Sequence, residues 1–176
     1  MRSRIMFKNI ILTGFMGVGK TSIGTRLSSD LGFIFVDTDE LIEADQRITI
    51  TEIFSTFSEP YFRDVETRII RTVLEGENQV VSTGGGAVIR EENRKVFKET
   101  GIVICLTARS EIIYERIKHE THRPLLKVND PMARIRELLE NRANFYNQAD
   151  LIIDTSEKSV DEAVREIKEK VRYARC

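Results

Sequence analysis

The stretch at residues 14–21, GFMGVGKT, constrains the fold more than any other part of the chain, because it matches the phosphate-binding pattern G-x-x-x-x-G-K-[ST] at every specified position. An apolar run at 10–12 precedes it and predicts a short buried strand. Apolar residues spaced four apart in 22–31 follow it and predict a helix. The alternative is a glycine-rich turn that carries Lys and Thr by coincidence, and the flanking strand and helix argue against it.

The residue types of this loop suit phosphate binding. Glycines let backbone N–H groups converge on an anion without interference from Cβ atoms. The start of the helix adds unpaired N–H groups and a partial positive charge. We expect Lys20 to reach the β- and γ-phosphates of a nucleotide and the Thr21 hydroxyl to bind Mg²⁺. The chain is therefore predicted to bind a nucleoside triphosphate.

Length and composition exclude several classes of protein. A chain of 176 residues is long enough for one domain with a substantial core, which we predict to span 1–176. The formal net charge of −1 offers no basic surface for nucleic acid or an anionic membrane, and the apolar runs are too short to span a bilayer. The positions of Cys105 and Cys176 suggest neither a metal site nor a disulfide framework. We expect a cytoplasmic protein without nucleic-acid or membrane partners.

Strand-like apolar runs alternate with segments of helical periodicity along the whole chain. This alternation predicts an α/β fold of three layers, α/β/α, in which helices cover both faces of a parallel sheet. The last helix is expected to start at about Ser159, where Ser159 and Glu162 have the spacing of a capping box. The predicted strands are at 9–13, 33–37, 79–83, 102–107 and 151–154.

The segment at 119–131, HETHRPLLKVNDP, interrupts this rhythm with two prolines and no period. It is long for a connection within a compact domain. One interpretation is a surface loop. The other is a mobile lid that closes on phosphates and excludes water, with Arg123 and Lys127 supplying positive charge.

Two carboxylates, Asp37 and Asp39, come at the end of the second predicted strand. Ligands of parallel α/β sheets bind beyond the carboxyl ends of the strands, and residues two apart leave a strand on the same side. One carboxylate could hold Mg²⁺ through water, and the other could take a proton from an acceptor hydroxyl. The alternative is that these residues only cap a helix.

Asp154 is a competing metal ligand. It follows the apolar run at 151–153, as the aspartate of a Walker B strand does. The sequence Asp154-Thr155-Ser156 is also typical of the start of a helix, so both interpretations remain open here.

Two arginines lie on or beside predicted inner faces of helices. Arg63 borders a stripe formed by Phe62, Val65, Ile69 and Val73, with Glu59 and Glu66 one turn away on either side. Arg142 falls on the same face as Ile135, Leu138 or Leu139, and Phe145 or Tyr146. A buried guanidinium must meet a carboxylate, either of the protein or of a ligand. Pairing with Glu59 or Glu66 would explain Arg63, whereas the acids near Arg142, Glu137 and Glu140, lie on other faces of its helix. Together the two arginines predict a small anionic substrate.

The turn at 82–86, STGGG, follows the third predicted strand. Three consecutive glycines cost conformational entropy on folding. They are useful where the backbone must approach a ligand closely, although a plain tight turn is the alternative.

Taken together, these motifs resemble the shikimate kinases, a P-loop family of the nucleoside-monophosphate-kinase-like group. They cover nearly the whole chain in the order and spacing of the family. Each motif alone is weak evidence, except the phosphate loop, but the whole set is highly specific. The matching segments are GFMGVGKT at 14–21, DTD at 37–39, EPYFRDVE at 59–66, TGGGAV at 83–88, RPLL at 123–126, and RANFYNQAD with LIIDT at 142–155.

The resemblance implies a nucleotide site. Lys20 would be catalytic, Thr21 and Asp37 would hold Mg²⁺, and Arg123 would move in from the lid onto the transferring phosphate. Arg116 would stack on adenine, and the turn near Lys158 would complete the adenine site. Asp154 would then lie near the base and not the metal. The residues of the loop expected to bind ATP are Gly17, Val18, Gly19, Lys20, Thr21 and Ser22.

The resemblance also implies a site for shikimate. Asp39 would contact the ring hydroxyls and orient or deprotonate the 3-hydroxyl. Arg63 and Arg142 would hold the carboxylate, and Gly84 and Gly85 would line the pocket. The implied strand order is 2-3-1-4-5. The implied activity is transfer of the γ-phosphate of ATP to shikimate, in chorismate and aromatic amino-acid biosynthesis, by a monomer.

Two other functions compete with this one. A gluconate kinase or another small-metabolite kinase would share the fold, but the paired arginines and the TGGG turn suit a compact ring carboxylate better. A nucleotide-gated binding module is the rival of a different class. The chain lacks the guanine-reading Asn-Lys-x-Asp, which argues against a GTPase-like switch, and it retains Asp39, Arg63 and Arg142, which argues against an inactive paralogue.

Overall fold

The computed structural model describes residues 7–119 and 128–173. Five strands in this part of the chain form one parallel sheet in the order β2-β3-β1-β4-β5, as expected. The strands are β1 (Asn9–Thr13), β2 (Ile34–Asp37), β3 (Gln79–Ser82), β4 (Gly101–Thr107) and β5 (Leu151–Asp154). The helices are α1 (Lys20–Leu31), α2 (Thr38–Gln46), α3 (Ile50–Thr56), α4 (Glu59–Leu74), α5 (Glu91–Thr100), α6 (Ser110–Ile117), α7 (Pro131–Tyr146) and α8 (Val160–Tyr173), with a short 3-10 helix at Ala87–Ile89.

β1 is the central strand, and all five of its residues are buried. Its apolar run needs cover on both faces, which a strand between two neighbours and two helical layers receives. The Asn9 side chain pins the start of the strand, because it accepts a hydrogen bond from the Gln79 amide at 3.1 Å and donates one to the Gly76 carbonyl at 2.9 Å. Because the strands are parallel, the carboxyl ends of β1, β2 and β3 lie side by side at one edge of the sheet.

The core has three parts. One face of the sheet is covered largely by α1, α6 and α8, and the other by α4, α5 and α7. A third, smaller cluster lies among α2, α3 and α4 and contains Ile42, Ile53, Phe62 and Val65. This cluster places α2 and α4 beside the carboxyl ends of the strands. The described residues contain no helix long and apolar enough to cross a membrane.

The inner face of α4 differs from its prediction. Ile70 and Leu74 are buried there, whereas Ile69 and Val73 are only partly so. The buried line runs from Phe62 through Glu66 to Ile70 and therefore includes a carboxylate. The prediction missed this line because acidic residues are almost never fully buried unless they are paired.

Other boundaries agree closely with the sequence. The capping box of α8 is present, since Ser159 Oγ accepts from the Glu162 amide at 3.3 Å and Glu162 accepts from the Ser159 amide at 2.8 Å. The lid predicted at 119–131, with Arg123 and Lys127, falls largely at 120–127, outside the described residues.

Candidate active site

The phosphate loop connects the carboxyl end of β1, the central strand of the sheet, to α1. Gly14 has a φ of 129°, and a Cβ atom there would lie 2.1 Å from the Leu106 carbonyl oxygen, so only glycine fits. Lys20 Nζ donates to the Gly14 and Phe15 carbonyls at 2.9 and 2.8 Å. The loop carbonyls therefore hold the Lys20 ammonium group in place, next to the exposed start of α1.

Asp37 caps α2 and also contacts the first turn of α1. Its Oδ1 accepts from the Asp39 amide at 2.9 Å and caps α2, while Oδ2 accepts from the Thr21 hydroxyl at 3.3 Å. Asp39 lies in the first turn of α2 and not on the strand. The argument from strand alternation was thus wrong for Asp39, because the helix starts at Thr38.

The glycine turn after β3 approaches these groups closely. A Cβ atom on Gly84 would lie 2.8 Å from Asp39 Oδ1 and 2.9 Å from Glu66 Oε1, and one on Gly86 would lie 2.3 Å from Arg63 Nη2. A side chain at either glycine would require these carboxylate or guanidinium groups to shift. The segment is a tight turn, in which the Ala87 amide donates to the Gly84 carbonyl at 3.0 Å, and it also brings the backbone close to Asp39, Glu66 and Arg63.

The two arginines line one cavity of about 320 Å³ between α3, α4, the 3-10 helix and α7, where its lining includes Phe54, Arg63, Ile89, Leu138, Arg142 and Phe145. Arg63 is paired with Glu66 at 2.8 Å and with Glu59 at 3.2 Å. Arg142 is buried on the inner face of α7, as predicted, and its guanidinium lies 5.7 Å from the centre of the Phe15 ring. Among the described residues, no carboxylate forms a salt bridge with Arg142. The cavity therefore offers a buried positive charge to an anionic ligand.

Glu66 is the site residue that the sequence assigned only to pairing with Arg63. It is fully buried, and its Oε1 atom accepts no hydrogen bond from any described residue. Burial raises its pKa to about 7, the ion pair with Arg63 opposes that shift, and the nearby Asp39 carboxylate adds to it. Its position four residues after Phe62 and four before Ile70 was the signal that could have revealed it.

This pKa predicts a pH dependence of folding. The unfolded chain loses the Glu66 proton near pH 4.5, whereas the folded protein keeps it until about pH 7. Stability from this group is therefore present below pH 4.5 and is lost as the pH rises towards 7, by on the order of 3 kcal/mol. Because Gln does not titrate, the unfolding free energy of wild type relative to Glu66→Gln should fall over this range in urea denaturation.

Glu59→Gln is the matched control, since it removes the exposed partner of the same arginine. Its unfolding free energy should stay within about 0.5 kcal/mol of wild type. A constant difference between wild type and Glu66→Gln from pH 4.5 to 7 would contradict the predicted titration.

The side of the site facing β4 and β5 holds the residues expected near a base. Arg116 donates to the Gly17 carbonyl at 3.1 Å and to the Thr155 carbonyl at 2.7 Å, so it joins the phosphate loop to the turn after β5. The buried Thr155 hydroxyl donates to the Val18 carbonyl at 2.9 Å. Lys158 Nζ contacts the Asp154 carbonyl at 2.8 Å and Glu166 at 2.7 Å.

The structure argues against Asp154 as the metal ligand. Its Oδ1 accepts from the Ser156 amide at 2.8 Å and from the Ser156 hydroxyl at 2.6 Å. These bonds lower the pKa of Asp154. Asp154 ends the strand at one edge of the sheet, and Asp37 ends the strand at the other edge. β4 separates Asp154 from β1 and the phosphate loop, which disfavours the Walker B interpretation. Asp154 does not begin a helix either, since α8 starts at Val160.

Comparison with known proteins identifies close relatives. The family model described as "SKI: Shikimate kinase" matches residues 16–172. A shikimate kinase of Thermodesulfovibrio yellowstonii is 48% identical over 160 residues, which are 91% of this chain and 92% of that protein. One from Geobacter metallireducens is also 48% identical, over 91% of this chain and 89% of that protein.

A solved structure of a shikimate kinase has a similar fold. It is the shikimate kinase from Acinetobacter baumannii in complex with shikimate, which superimposes with a TM-score of 0.93. The two sequences are 33% identical, and the match covers 97% of this chain and 96% of that one.

Proposed function

Because the chain belongs to the shikimate kinase family, we propose that it transfers the γ-phosphate of ATP to the 3-hydroxyl of shikimate, yielding ADP and shikimate 3-phosphate. The observation that carries this proposal is the buried Arg142 guanidinium, which forms no salt bridge with a carboxylate of the described residues and lines a cavity with Arg63. A ligand carboxylate would supply a direct ion-pair partner for Arg142, which acts on the Glu66 carboxylate only through longer-range electrostatics. Shikimate has one carboxylate on a compact ring and would suit a cavity of about 320 Å³.

The acceptor end of shikimate would lie against α2 and the glycine turn. In this pose Arg63 and Arg142 hold the carboxylate, while Asp39 accepts a hydrogen bond from the 3-hydroxyl and orients it or takes its proton. Gly84 and Gly85 would line the site beside this cavity, and a Cβ atom on Gly85 would lie 3.6 Å from Arg142 Nη1. The close packing of Asp39 and Gly84 supports this arrangement.

The nucleotide would occupy the phosphate loop from Gly17 to Ser22. Lys20 would exchange its bonds to the loop carbonyls for bonds to the phosphates and neutralise the charge that develops on the transferring group. On the adenine side, we assign stacking on the base to Arg116 and completion of the pocket to Lys158. Arg123 would complete the charge around the phosphate from the lid.

The residues around Thr21 fit a magnesium ion. The Thr21 hydroxyl and the Asp37 carboxylate converge at 3.3 Å beside the start of α1. Mg²⁺ prefers hard oxygen ligands and is usually held by one or two protein groups together with substrate phosphates. When bound, the ion would offset the negative charge of the phosphates. We propose that Thr21 binds it directly and Asp37 through water.

The two roles of Asp37 can be separated by Asp37→Asn. Asn caps helices as well as Asp does, so the unfolding free energy should change by less than about 1 kcal/mol. Loss of the charge should raise the Mg²⁺ concentration that gives half-maximal turnover by about tenfold, as is typical of outer-sphere metal contacts. Magnesium titration of steady-state rates measures this. An unchanged Mg²⁺ requirement would remove Asp37 from the metal site.

We further propose that the protein is a cytoplasmic monomer of one domain, 1–176, with a lid at about 119–131. Light scattering coupled to gel filtration tests the monomer. Limited proteolysis with and without ATP and shikimate tests the lid, because closure should protect this segment from cleavage.

The direct test of function is ADP release from Mg·ATP with shikimate, with gluconate and with no acceptor. Release that depends on shikimate supports the proposal. Release with gluconate instead would overturn the assignment of the arginines and leave the nucleotide site intact. ATP binding without acceptor-dependent release would favour a nucleotide-gated module.

A further inference from the structure

The glycine turn and the 3-10 helix after β3 are irregular, yet every carbonyl from Gly84 to Ile89 accepts a hydrogen bond. Two of the bonds come from within the segment, to the Gly84 and Gly86 carbonyls at 3.0 Å each. Side chains make the others. Tyr146 donates to the Gly85 carbonyl at 2.6 Å, Asn93 to Ala87 at 2.9 Å, and Arg94 to both Val88 and Ile89 at 2.7 Å. The shape of this turn is therefore set by residues outside it.

Arg94 differs from the other donors because it joins three elements. It lies on α5, and its Nη1 atom binds the last two carbonyls of the 3-10 helix. Its Nε atom donates to Gln148 Oε1 at 3.1 Å, just beyond α7. Its guanidinium lies 4.8 Å from the centre of the Phe145 ring, within the range of a cation–π contact. Charge-assisted hydrogen bonds of this length are among the stronger ones in proteins.

Each element that Arg94 joins supports one arginine of the cavity. Gly86 packs so tightly on Arg63 that a Cβ atom there would lie 2.3 Å from Nη2. Phe145 lies one helical turn after Arg142 on α7, and both line the cavity. A shift of the turn would therefore change the packing of Gly86 against Arg63, and a shift of α7 would move Arg142.

We propose that Arg94 is a positioning residue that sets the separation of Arg63 and Arg142 and so determines how well the cavity fits the carboxylate of its substrate. The inference rests on the proposed function for the identity of that substrate. Arg94 does not line the cavity itself, so it acts through the two arginines and not by contact. A Lys at this position could still reach the two carbonyls, but it lacks the planar fork that also binds Gln148 and stacks on Phe145.

The experiment compares Arg94→Met and Arg94→Lys with Lys95→Met. Lys95 is the next residue of α5, is exposed and pairs only with Glu91 among the described residues, so its variant removes the same charge without touching the turn. We expect Arg94→Met to raise the KM for shikimate by about tenfold, as loss of supporting contacts around a site does, with kcat and the KM for ATP within about twofold of wild type. Arg94→Lys should recover part of this loss, and Lys95→Met should match wild type.

Hydrogen exchange at residues 84–89 provides a readout that does not depend on the substrate. We expect Arg94→Met to speed exchange of the Ala87 and Ile89 amides, which bond within the segment, and Arg94→Lys to restore part of their protection. Unchanged exchange would overturn the inference even if wild type phosphorylates shikimate. An equal rise in KM for ATP and shikimate would also overturn it, since that indicates general destabilisation. Wild type that neither binds nor phosphorylates shikimate, with exchange responding as expected, would refute the proposed function alone.

Discussion

Asp39→Asn is expected to lower kcat with shikimate by about 10²- to 10⁴-fold, the usual contribution of a positioned acid–base group. The amide has almost the same shape as the carboxylate but cannot take a proton and offers one oxygen in place of two. The cap of α2 should survive, because Asp37 binds the Asp39 backbone amide and not its side chain. Steady-state rates, together with ATP affinity and unfolding free energy for the same samples, measure this prediction.

Glu40→Gln is the matched control for Asp39→Asn. Glu40 is the next residue of α2 and is exposed, so the substitution removes the same charge from the same helical turn. Its kcat should remain within about twofold of wild type, since exposed charges contribute little. Near wild-type turnover of Asp39→Asn would remove Asp39 from the mechanism, and equal losses in both variants would indicate a general effect of charge.

Arg142→Ala is expected to raise the KM for shikimate by about 30-fold or more while changing the KM for ATP little. Removing one partner of a buried charge pair costs about 2–5 kcal/mol, and the carboxylate left behind would have only Arg63. Arg136→Ala is the control on the same helix, because Arg136 is exposed and pairs with Glu111 on α6. Equal losses of ATP and shikimate affinity would contradict the role of Arg142 in holding the carboxylate.

The methyl ester of shikimate sharpens this test. Wild type should bind the ester far more weakly than shikimate, because the ester carries no charge for the arginines to meet. Arg142→Ala should discriminate much less between the two ligands, since the same interaction is already lost. Full discrimination by the variant would show that the carboxylate is recognised elsewhere.

The phosphate loop and the alternation of strands and helices could be predicted because both are short-range patterns. Each residue of 14–21 acts through its own backbone or through neighbours a few positions away, so the motif and its setting identify the nucleotide site directly. The strand order, in contrast, followed from the resemblance of motifs spread over the chain. Nothing in the strands themselves specifies that β3 lies between β1 and β2.

The substrate side of the site was predicted less completely. Arg142 could be placed on an inner face because helical periodicity fixes its direction relative to Ile135 and Leu138. Asp39 was expected at the end of a strand, but it belongs to α2 and lies beside the glycine turn. The local pattern at Asp154 could not show that β4 separates its strand from β1, because strand order is set by the whole sheet.

The sequence by itself determined the nucleotide-binding loop, the α/β architecture and the presence of two inward-facing arginines. Only the tertiary structure decided that Glu66 is buried beside Arg63 and Asp39, and that Arg94 joins the glycine turn to α7. Helix and strand propensity, capping and periodicity act over a few neighbouring residues, so they can be recognised from the sequence. The environment of a buried charge depends on groups from distant segments, and their positions exist only after the sheet has brought its strand ends together.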